Sequence, residues 1–260
     1  MKKVLSIAGS DCSGGAGIQA DIKTITAHKM YAMSVITALT AQNTTGVSRV
    51  LEVGPGFVEE QLDMVCSDIY PDAVKIGMLV NEEIIEVVAD SIKKYRLKNI
   101  VLDPVMISTS GRRLLKDAAR QVLISRLIPL ADIITPNLSE AEYLTGRRIE
   151  SKADMQRAAE DMLQYYQGSI LIKGGHLPDS SDDLLYHKGR YYWYGQRRID
   201  NSDTHGTGCT LSSAIACNLA KGINMQESVA NGKAYITGAI SAKLRLGHGN
   251  GPLDHCWEME

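Results

Sequence analysis

Hydrophobic residues along this chain occur in short unbroken runs that alternate with longer segments of helical periodicity. Residues 3–8, Ala73–Ile76 and Ser169–Ile172 are apolar at nearly every position, which is typical of strands buried on both faces. Between such runs, Glu82–Tyr95 places its apolar residues on one stripe, as an amphipathic helix does. The alternation predicts a three-layer α/β/α fold with a mostly parallel central sheet.

The same pattern predicts the strands and helices in the rest of the chain. We predict further strands at 31–41, 99–102 and 132–134, and helices at 18–29, 56–69, 114–127, 153–166, 207–220 and 225–244. Residues 184–199 differ, because apolar and Tyr-rich segments flank Lys188-Gly189 and predict a β-hairpin. Asn137 followed by Glu140 predicts a capping box at a further helix start. Because no linker or repeat interrupts the pattern, we expect residues 1–260 to form one domain.

Polar and glycine-rich segments follow the predicted strands. They are residues 9–17, 41–45, 77–78, 103–110, 136–140, 173–176 and 201–209. In open parallel sheets, ligands bind just outside the carboxyl ends of the strands. The pattern therefore predicts one functional site at this edge of the sheet.

Composition narrows the range of functions. The 260 residues are 44% hydrophobic and 22% charged, as in an ordinary globular protein. With 28 basic and 30 acidic residues, the net charge of −2 argues against nucleic acid as the main partner. No apolar run approaches the ~20 residues that span a membrane. The five cysteines are odd in number and lack CxxC spacing, so we expect reduced thiols, no zinc site and a cytoplasmic protein.

The segment HGTGCT at residues 205–210 precedes an apolar helix. Gly206 and Gly208 allow a turn whose N–H groups converge at the helix N-terminus, which would form an anion hole for a phosphoryl group. Cys209 lies in the first turn of that helix, where the pKa of a thiol is expected to fall. A glycine turn that only caps the helix would explain the same residues.

Three further segments could carry chemistry. The glycine loop 9–17 matches neither GxxxxGK[ST] nor GxGxxG, so it is either a tight turn or a close approach to a flat small molecule. Asp103 ends a strand and could meet Mg²⁺ or its waters. Lys173 ends another strand and could contact phosphate. Asn137 and Glu140 could face the same ligand, although helix capping accounts for both.

Together these segments resemble the ribokinase-like superfamily and, within it, the hydroxymethylpyrimidine/phosphomethylpyrimidine kinases of thiamine biosynthesis. The stretches that carry the resemblance are AGSD (8–11), SGGAGIQADIKT (13–24), VITALTAQNT (35–44), KIGML (75–79), DPVM (103–106), TPNLSEAE (135–142), KGGH (173–176) and THGTGCT (204–210). They follow in order over nearly the whole chain.

The resemblance implies an enzyme that uses ATP and Mg²⁺ to phosphorylate 4-amino-5-hydroxymethyl-2-methylpyrimidine, first to its monophosphate and then to its diphosphate. The residues that match pyrimidine contacts are Gly9, Ala16, Gln42, Met78 and Val105. The residues that match the anion hole and catalytic position are Gly206, Gly208 and Cys209. Those that match the nucleotide side are Asp103, Asn137, Lys173 and Thr207, with Asp103 and Glu140 toward Mg²⁺. Many sugar kinases of the superfamily carry Asp at the position of Cys209. The resemblance also implies a homodimer.

Three other functions stay open. Pyridoxal kinases of the same branch look similar, but some carry a lid cysteine after the DPVM segment, where this chain has ISTSG at 107–111. A non-catalytic small-molecule sensor would retain the fold but not the chemistry. A thiazole or sugar kinase fits less well, because Gln42 and Met78 suit a flat heteroaromatic ring. We also expect a flap at 44–53, a lid at 107–113, and surface positions for His28, His187, His248 and His255.

Overall fold

A computed structural model describes residues 1–106, 119–175, 181–195 and 199–259. The predicted lid at 107–113, the start of the helix predicted at 114–127, and His176 lie outside the described residues. The described strands are β1 Lys3–Asp11, β2 Tyr31–Asn43, β3 Gly46–Glu52, β4 Ala73–Ile76, β5 Ile100–Leu102, β6 Ile133–Ile134, β7 Ser169–Ile172, β8 Asp183–His187 and β9 Arg190–Tyr194. The described helices are α1 Gly17–Ala27, α2 Pro55–Asp68, α3 Glu82–Tyr95, α4 Ala119–Val122, α5 Leu138–Thr145, α6 Lys152–Met162, α7 Thr207–Ala220 and α8 Met225–Ser241.

The described strands form one sheet in the order β3-β2-β1-β4-β5-β6-β7-β8-β9. Strands β2 to β7 in this order run parallel, whereas β3 pairs antiparallel with β2, and β8 and β9 continue antiparallel from β7. Ile7 of β1 pairs with Val35 on one side and Ile76 on the other. The predicted mostly parallel sheet is confirmed, and so is the predicted hairpin.

Apolar side chains cover both faces of the sheet. On one face, Leu5 and Ile7 of β1 belong to a buried cluster that includes residues of α2, α3, α5 and α6. On the other face, Val4 belongs to a cluster with residues of α1, α7 and α8. Because successive residues of a strand point to opposite faces, one apolar run supplies both clusters. This explains why the central strands contain almost no polar positions.

The helix α3 illustrates how local sequence sets element bounds. The Asn81 side chain accepts a hydrogen bond from the Ile84 N–H and begins the helix. Glu82 and Glu83 lie in the first turn and two lysines lie in the last turn, so the charges at both ends interact favourably with the helix dipole. Arg96 adopts a left-handed conformation and ends the helix. The predicted and observed bounds of α3 therefore agree.

One feature of the C-terminal region differs from expectation. His255 was predicted on the surface, and this is wrong: it is 3% exposed, and its Nε2 lies 3.0 Å from the Thr210 hydroxyl. The reason is that residues after α8 fold back against α7 and α8, where Trp257 packs on Tyr235.

Within the described residues, no helix is both long and apolar enough to cross a membrane.

Candidate active site

A cavity of about 740 Å³ opens at the carboxyl ends of the parallel strands. Its lining includes every site residue predicted from the sequence: Gly9, Ala16, Gln42, Met78, Asp103, Val105, Asn137, Glu140, Lys173, Gly206, Thr207, Gly208 and Cys209. The strand ends bring these residues together because all parallel strands terminate at the same edge. Their individual roles stay predictions.

The glycine loop is organised by a carboxylate at its base. Asp11 accepts hydrogen bonds from the N–H and hydroxyl of Ser13 through one oxygen. Its other oxygen accepts from the N–H groups of Gly15 and Ala16 at 3.1 and 2.9 Å, and from His205 Nε2 at 2.7 Å. Although burial opposes ionisation, these hydrogen bonds lower the pKa of Asp11 to about 2. The loop is therefore held in shape before any ligand binds.

The turn before α7 packs directly on that loop. Gly206 has a φ of +86°, and a Cβ there would lie 1.9 Å from the carbonyl oxygen of Gly15. Only glycine fits both constraints. At Gly208, a Cβ would lie 3.3 Å from Asp103 Oδ2 and from Lys173 Nζ, so a side chain would fill the space between them and the helix. The first turn of α7 thus presents its N–H groups to the cavity, as an anion site requires.

Cys209 is half-buried in this first turn, and its sulfur accepts a hydrogen bond from the Gly17 N–H. Burial raises the pKa of the thiol to about 11, against the opposing effect of the Lys75 ammonium. The expectation of a lowered thiol pKa is therefore wrong, because desolvation outweighs the nearby Lys75 ammonium and the hydrogen bond from Gly17. In the ligand-free protein the thiol is neutral at pH 7.

The opposite end of the cavity carries charged groups. Lys173 Nζ lies 2.7 Å from Asp103 Oδ1, which also accepts from the Thr135 hydroxyl. Asn137 and Glu140 form the predicted capping box at the start of α5. Burial raises the pKa of Glu140 to about 7, with Asp103 adding to the effect and Lys173 opposing it. Burial opposes the charge of Lys173, but Asp103 and Glu140 raise its pKa overall.

Asp103 and Glu140 are the two carboxylates that the sequence predicts as metal ligands. In the part of the chain that the structure describes, no group of three or more His, Cys, Asp or Glu side chains could hold a metal by itself. Mg²⁺ in phosphoryl-transfer sites is commonly held by one or two carboxylates together with substrate phosphates. The pair Asp103 and Glu140 therefore fits a cation that arrives with a nucleotide.

Sequence reasoning missed several polar residues that build the site. Asp11 and His205 were not assigned as partners, because 194 positions separate them. Lys75 and Asp21 form a fully buried ion pair of 2.9 Å below α7, where Ser213 also donates to Asp21. A lysine inside the apolar strand β4 was a signal for such a pair, since a buried lysine needs a partner.

A further pair lies toward the rim. Lys233 of α8 contacts Asp183 at 2.5 Å, and Asp183 also accepts from the Gly174 N–H. Both residues line the cavity together with Ile199, Ile236 and Ile240. This part of the cavity is therefore lined by both charged and apolar side chains.

Comparison with known proteins agrees with this geometry. The family model described as phosphomethylpyrimidine kinase matches residues 11–254. A hydroxymethylpyrimidine/phosphomethylpyrimidine kinase from Rhizobium meliloti is 48% identical, over 96% of each chain. A bifunctional thiamine biosynthesis protein from Geobacter sulfurreducens is 47% identical over 99% of this chain, which spans only 53% of that protein.

Solved structures show the same fold. A phosphomethylpyrimidine kinase from Clostridium difficile has a TM-score of 0.83 and 49% identity, covering 92% of this chain and 100% of its own. A Bacillus subtilis pyridoxal kinase in complex with ADP has a TM-score of 0.91 and 37% identity, covering 100% of this chain and 99% of its own.

Proposed function

This chain belongs to the phosphomethylpyrimidine kinase family, and we propose that it uses ATP to phosphorylate 4-amino-5-hydroxymethyl-2-methylpyrimidine to its monophosphate and then to its diphosphate, in thiamine biosynthesis. The observation that carries the proposal is the division of one cavity into two ends. Gly9, Met78 and Val105 lie together at one end, which also has Gln42, and Asp103, Glu140 and Lys173 lie together at the other, beside the first turn of α7.

The first end suits a flat ring. The Gln42 amide supplies a hydrogen-bond donor and an acceptor, and the apolar Met78 and Val105 suit the ring faces. A Cβ at Gly9 would lie 2.4 Å from the end of the Met78 side chain, so glycine leaves that methionine its place in the cavity wall. Ala16 adds a small side chain at the glycine loop, close to the start of α1.

The second end suits a phosphoryl group in transfer. The N–H groups of Gly206, Gly208 and Cys209 would stabilise the charge that develops on the phosphoryl oxygens, and Lys173 would add a positive charge. Asp103 and Glu140 would hold Mg²⁺, which neutralises phosphate charge when it is bound. Asn137 and Thr207 lie beside these groups and complete the nucleotide side.

The two transfers make different demands on Cys209. In the first, the attacking group is an alcohol that must lose its proton, and we assign its acceptance to the Cys209 thiolate. The resting thiol is neutral, so the thiolate is scarce. In phosphoryl transfer the hydroxyl proton leaves late. In the second transfer the attacking group is an anionic phosphomonoester, so the anion hole matters more than a base.

Pyridoxal phosphorylation is the nearest alternative, since a pyridoxal kinase has the same fold at 37% identity. A panel of hydroxymethylpyrimidine, its monophosphate, pyridoxal and a hydroxyethylthiazole, each with ATP and Mg²⁺, separates the two by relative kcat/KM. We expect mono- and diphosphate products from the pyrimidine at the highest kcat/KM. A higher kcat/KM for pyridoxal would contradict the proposal, and failure to phosphorylate any compound would favour the sensor function.

We further propose a homodimer, formed by one domain per chain in the cytoplasm. Apolar side chains that are exposed on β2, β3 and α2 support an interface there, and they are Leu39, Leu51, Phe57 and Met64, exposed by 45, 56, 60 and 73%. The five cysteines are all free, which agrees with a reducing compartment. Light scattering of the wild type and of Leu51→Glu tests the dimer, which the glutamate should dissociate.

A further inference from the structure

The segment GHGNGP at residues 247–252 follows α8 and has glycine at every second position. Residues 247–250 are exposed, and none of residues 247–252 is among the described residues that line the cavity. These glycines therefore do not serve a close approach to a substrate. Their neighbours in the fold must explain them.

Two of the glycines contact the turn between β2 and β3. The Thr44 hydroxyl accepts hydrogen bonds from the N–H groups of His248 and Gly249, both at 3.2 Å. A Cβ at Gly249 would lie 2.2 Å from the Thr44 carbonyl oxygen, and a Cβ at Gly247 would lie 2.4 Å from the Thr44 hydroxyl oxygen. Real Cβ atoms do not come so close to other atoms. The segment can therefore pack on Thr44 only because both positions lack a side chain.

The third glycine contacts the loop that precedes α7. A Cβ at Gly251 would lie 2.1 Å from Asp203 Oδ1, and the Gly251 carbonyl oxygen accepts a hydrogen bond from the His205 N–H at 3.0 Å. Asp203 is buried, and its other oxygen accepts from the Arg245 N–H at 2.8 Å. His205 directly precedes Gly206 of the anion hole. One end of the segment is thus fixed to the loop that leads into α7.

The turn between β2 and β3 is ordered within itself, but its pairing with the rest of the hairpin is interrupted. The Asn43 side-chain oxygen accepts hydrogen bonds from the N–H groups of Thr45 and Gly46 and from the Thr45 hydroxyl. The register of β2 with β3 shifts between Ala41 and Gln42, just before the turn. Because such a shift disrupts the hydrogen-bond ladder, we expect the position of the turn to depend on contacts from outside the hairpin.

We propose that residues 247–252 form a clamp that positions the β2–β3 turn at the ring end of the cavity, so that affinity for the ring substrate depends on a segment outside the cavity. The inference rests on the proposed function. Strand β2 lines the cavity through Thr40 and Gln42, directly before the turn. The nucleotide side is instead built by Asp103 and Lys173, which follow β5 and β7. Loss of the clamp should therefore weaken binding of the ring and leave binding of ATP unchanged.

The first test removes the two hydrogen bonds at the turn. Thr44→Val keeps the shape of the side chain but has no oxygen to accept from His248 and Gly249. The KM for hydroxymethylpyrimidine should rise ~10-fold, because the turn loses two hydrogen bonds of ordinary strength. The kcat and the KM for ATP should stay within about 2-fold of the wild type, since only ground-state binding of the ring is affected. Thr44→Ser keeps the hydroxyl and should retain the wild-type KM.

The second test uses two glycines that differ only in their neighbours. Neither Gly249 nor Gly46 has a positive φ, so alanine brings no backbone strain at either position. A Cβ at Gly46 meets no described atom within 4 Å, whereas one at Gly249 meets the Thr44 carbonyl. Gly249→Ala should raise the KM for the pyrimidine by ~10-fold or more, and Gly46→Ala should leave it unchanged.

The KM separates positioning from a purely structural role. A variant that only loses folded protein has a lower apparent kcat and an unchanged KM for both substrates. An unchanged pyrimidine KM in Thr44→Val and Gly249→Ala would overturn the inference, and so would an equal rise in the KM for ATP. Isothermal titration calorimetry with the pyrimidine alone should show the same loss of affinity without catalysis. If the wild type neither binds nor phosphorylates the pyrimidine, the proposed function itself fails, and this appears before any variant is made.

Discussion

Two buried carboxylates at opposite ends of the cavity have pKa values shifted in opposite directions. Asp11 has its pKa lowered to about 2, because burial, which opposes its ionisation, is outweighed by its hydrogen bonds from His205 and Ser13. Glu140 has its pKa raised to about 7, because burial outweighs the hydrogen bonds that it accepts from backbone N–H groups. The charged form of Asp11 is thus stabilised by the protein, whereas burial opposes the charge of Glu140.

The difference shows at which end of the cavity the protein alone stabilises the buried carboxylate, before any ligand binds. A carboxylate whose hydrogen bonds are complete stabilises the fold and gains little from a ligand. A buried carboxylate without enough partners destabilises the fold and gains much from a cation. Replacing each carboxylate by its amide, a change of nearly the same shape, should therefore have opposite effects on stability.

The largest effect is expected on activity at the phosphate end. In Glu140→Gln the capping box can persist, since an amide oxygen also accepts from the Asn137 N–H. The negative charge toward Mg²⁺ is lost, so kcat/KM should fall by ~1,000-fold, about 4 kcal/mol of transition-state stabilisation. Steady-state kinetics at saturating Mg²⁺ measure it. A loss of less than ~10-fold would remove Glu140 from the metal site.

At the ring end the main effect is expected on stability. Asp11→Asn replaces two accepting oxygens with one, so several loop N–H groups lose their partner and the free energy of unfolding should fall by about 3 kcal/mol. The Asp11 contribution is present above its usual pKa of 3.8 and is lost as the pH falls toward 2. Urea unfolding at pH 7 and pH 3 measures this, and the two proteins should differ less at pH 3.

The opposite sign is expected for stability in Glu140→Gln. A raised carboxyl pKa means that the native protein binds more protons than the unfolded chain between pH 4.5 and about 7. The Glu140 contribution to stability therefore falls as the pH rises through that range. Without ligands, Glu140→Gln should be more stable than the wild type by about 2 kcal/mol at pH 8 and nearly equal to it at pH 5. A destabilised variant at pH 8 would contradict the comparison.

The smallest effect is expected for Cys209, which lies between the two ends of the cavity. It distinguishes the first phosphoryl transfer from the second. Cys209→Ala should slow the first transfer about 10-fold more than the second, a difference of about 1.4 kcal/mol, because only the first must remove a hydroxyl proton. Single-turnover assays of each step measure the difference. Equal losses would show that Cys209 shapes the anion hole without acting on the proton.

Local sequence was sufficient for most of the elements and for part of the residues that line the cavity. The bounds of Ala73–Ile76, Glu82–Tyr95 and Thr207–Ala220 were predicted as observed, because apolar periodicity and capping residues act over a few positions. The predicted site residues all line one cavity, since parallel strands expose their following loops at one edge. His255 was misplaced because only the fold of the C-terminal segment buries it.

The pKa values of the site residues depend on residues that are far apart in sequence. A motif places Cys209 at a helix N-terminus, but the pKa of its thiol depends on the burial around it. Asp11 and His205 contact each other across 194 positions, and no local pattern links them. The sequence by itself determined the fold, the family and the predicted residues of the cavity, because these follow from short-range patterns. Only the tertiary structure decided their protonation and hydrogen-bond partners, because desolvation and partner geometry arise when distant segments pack together.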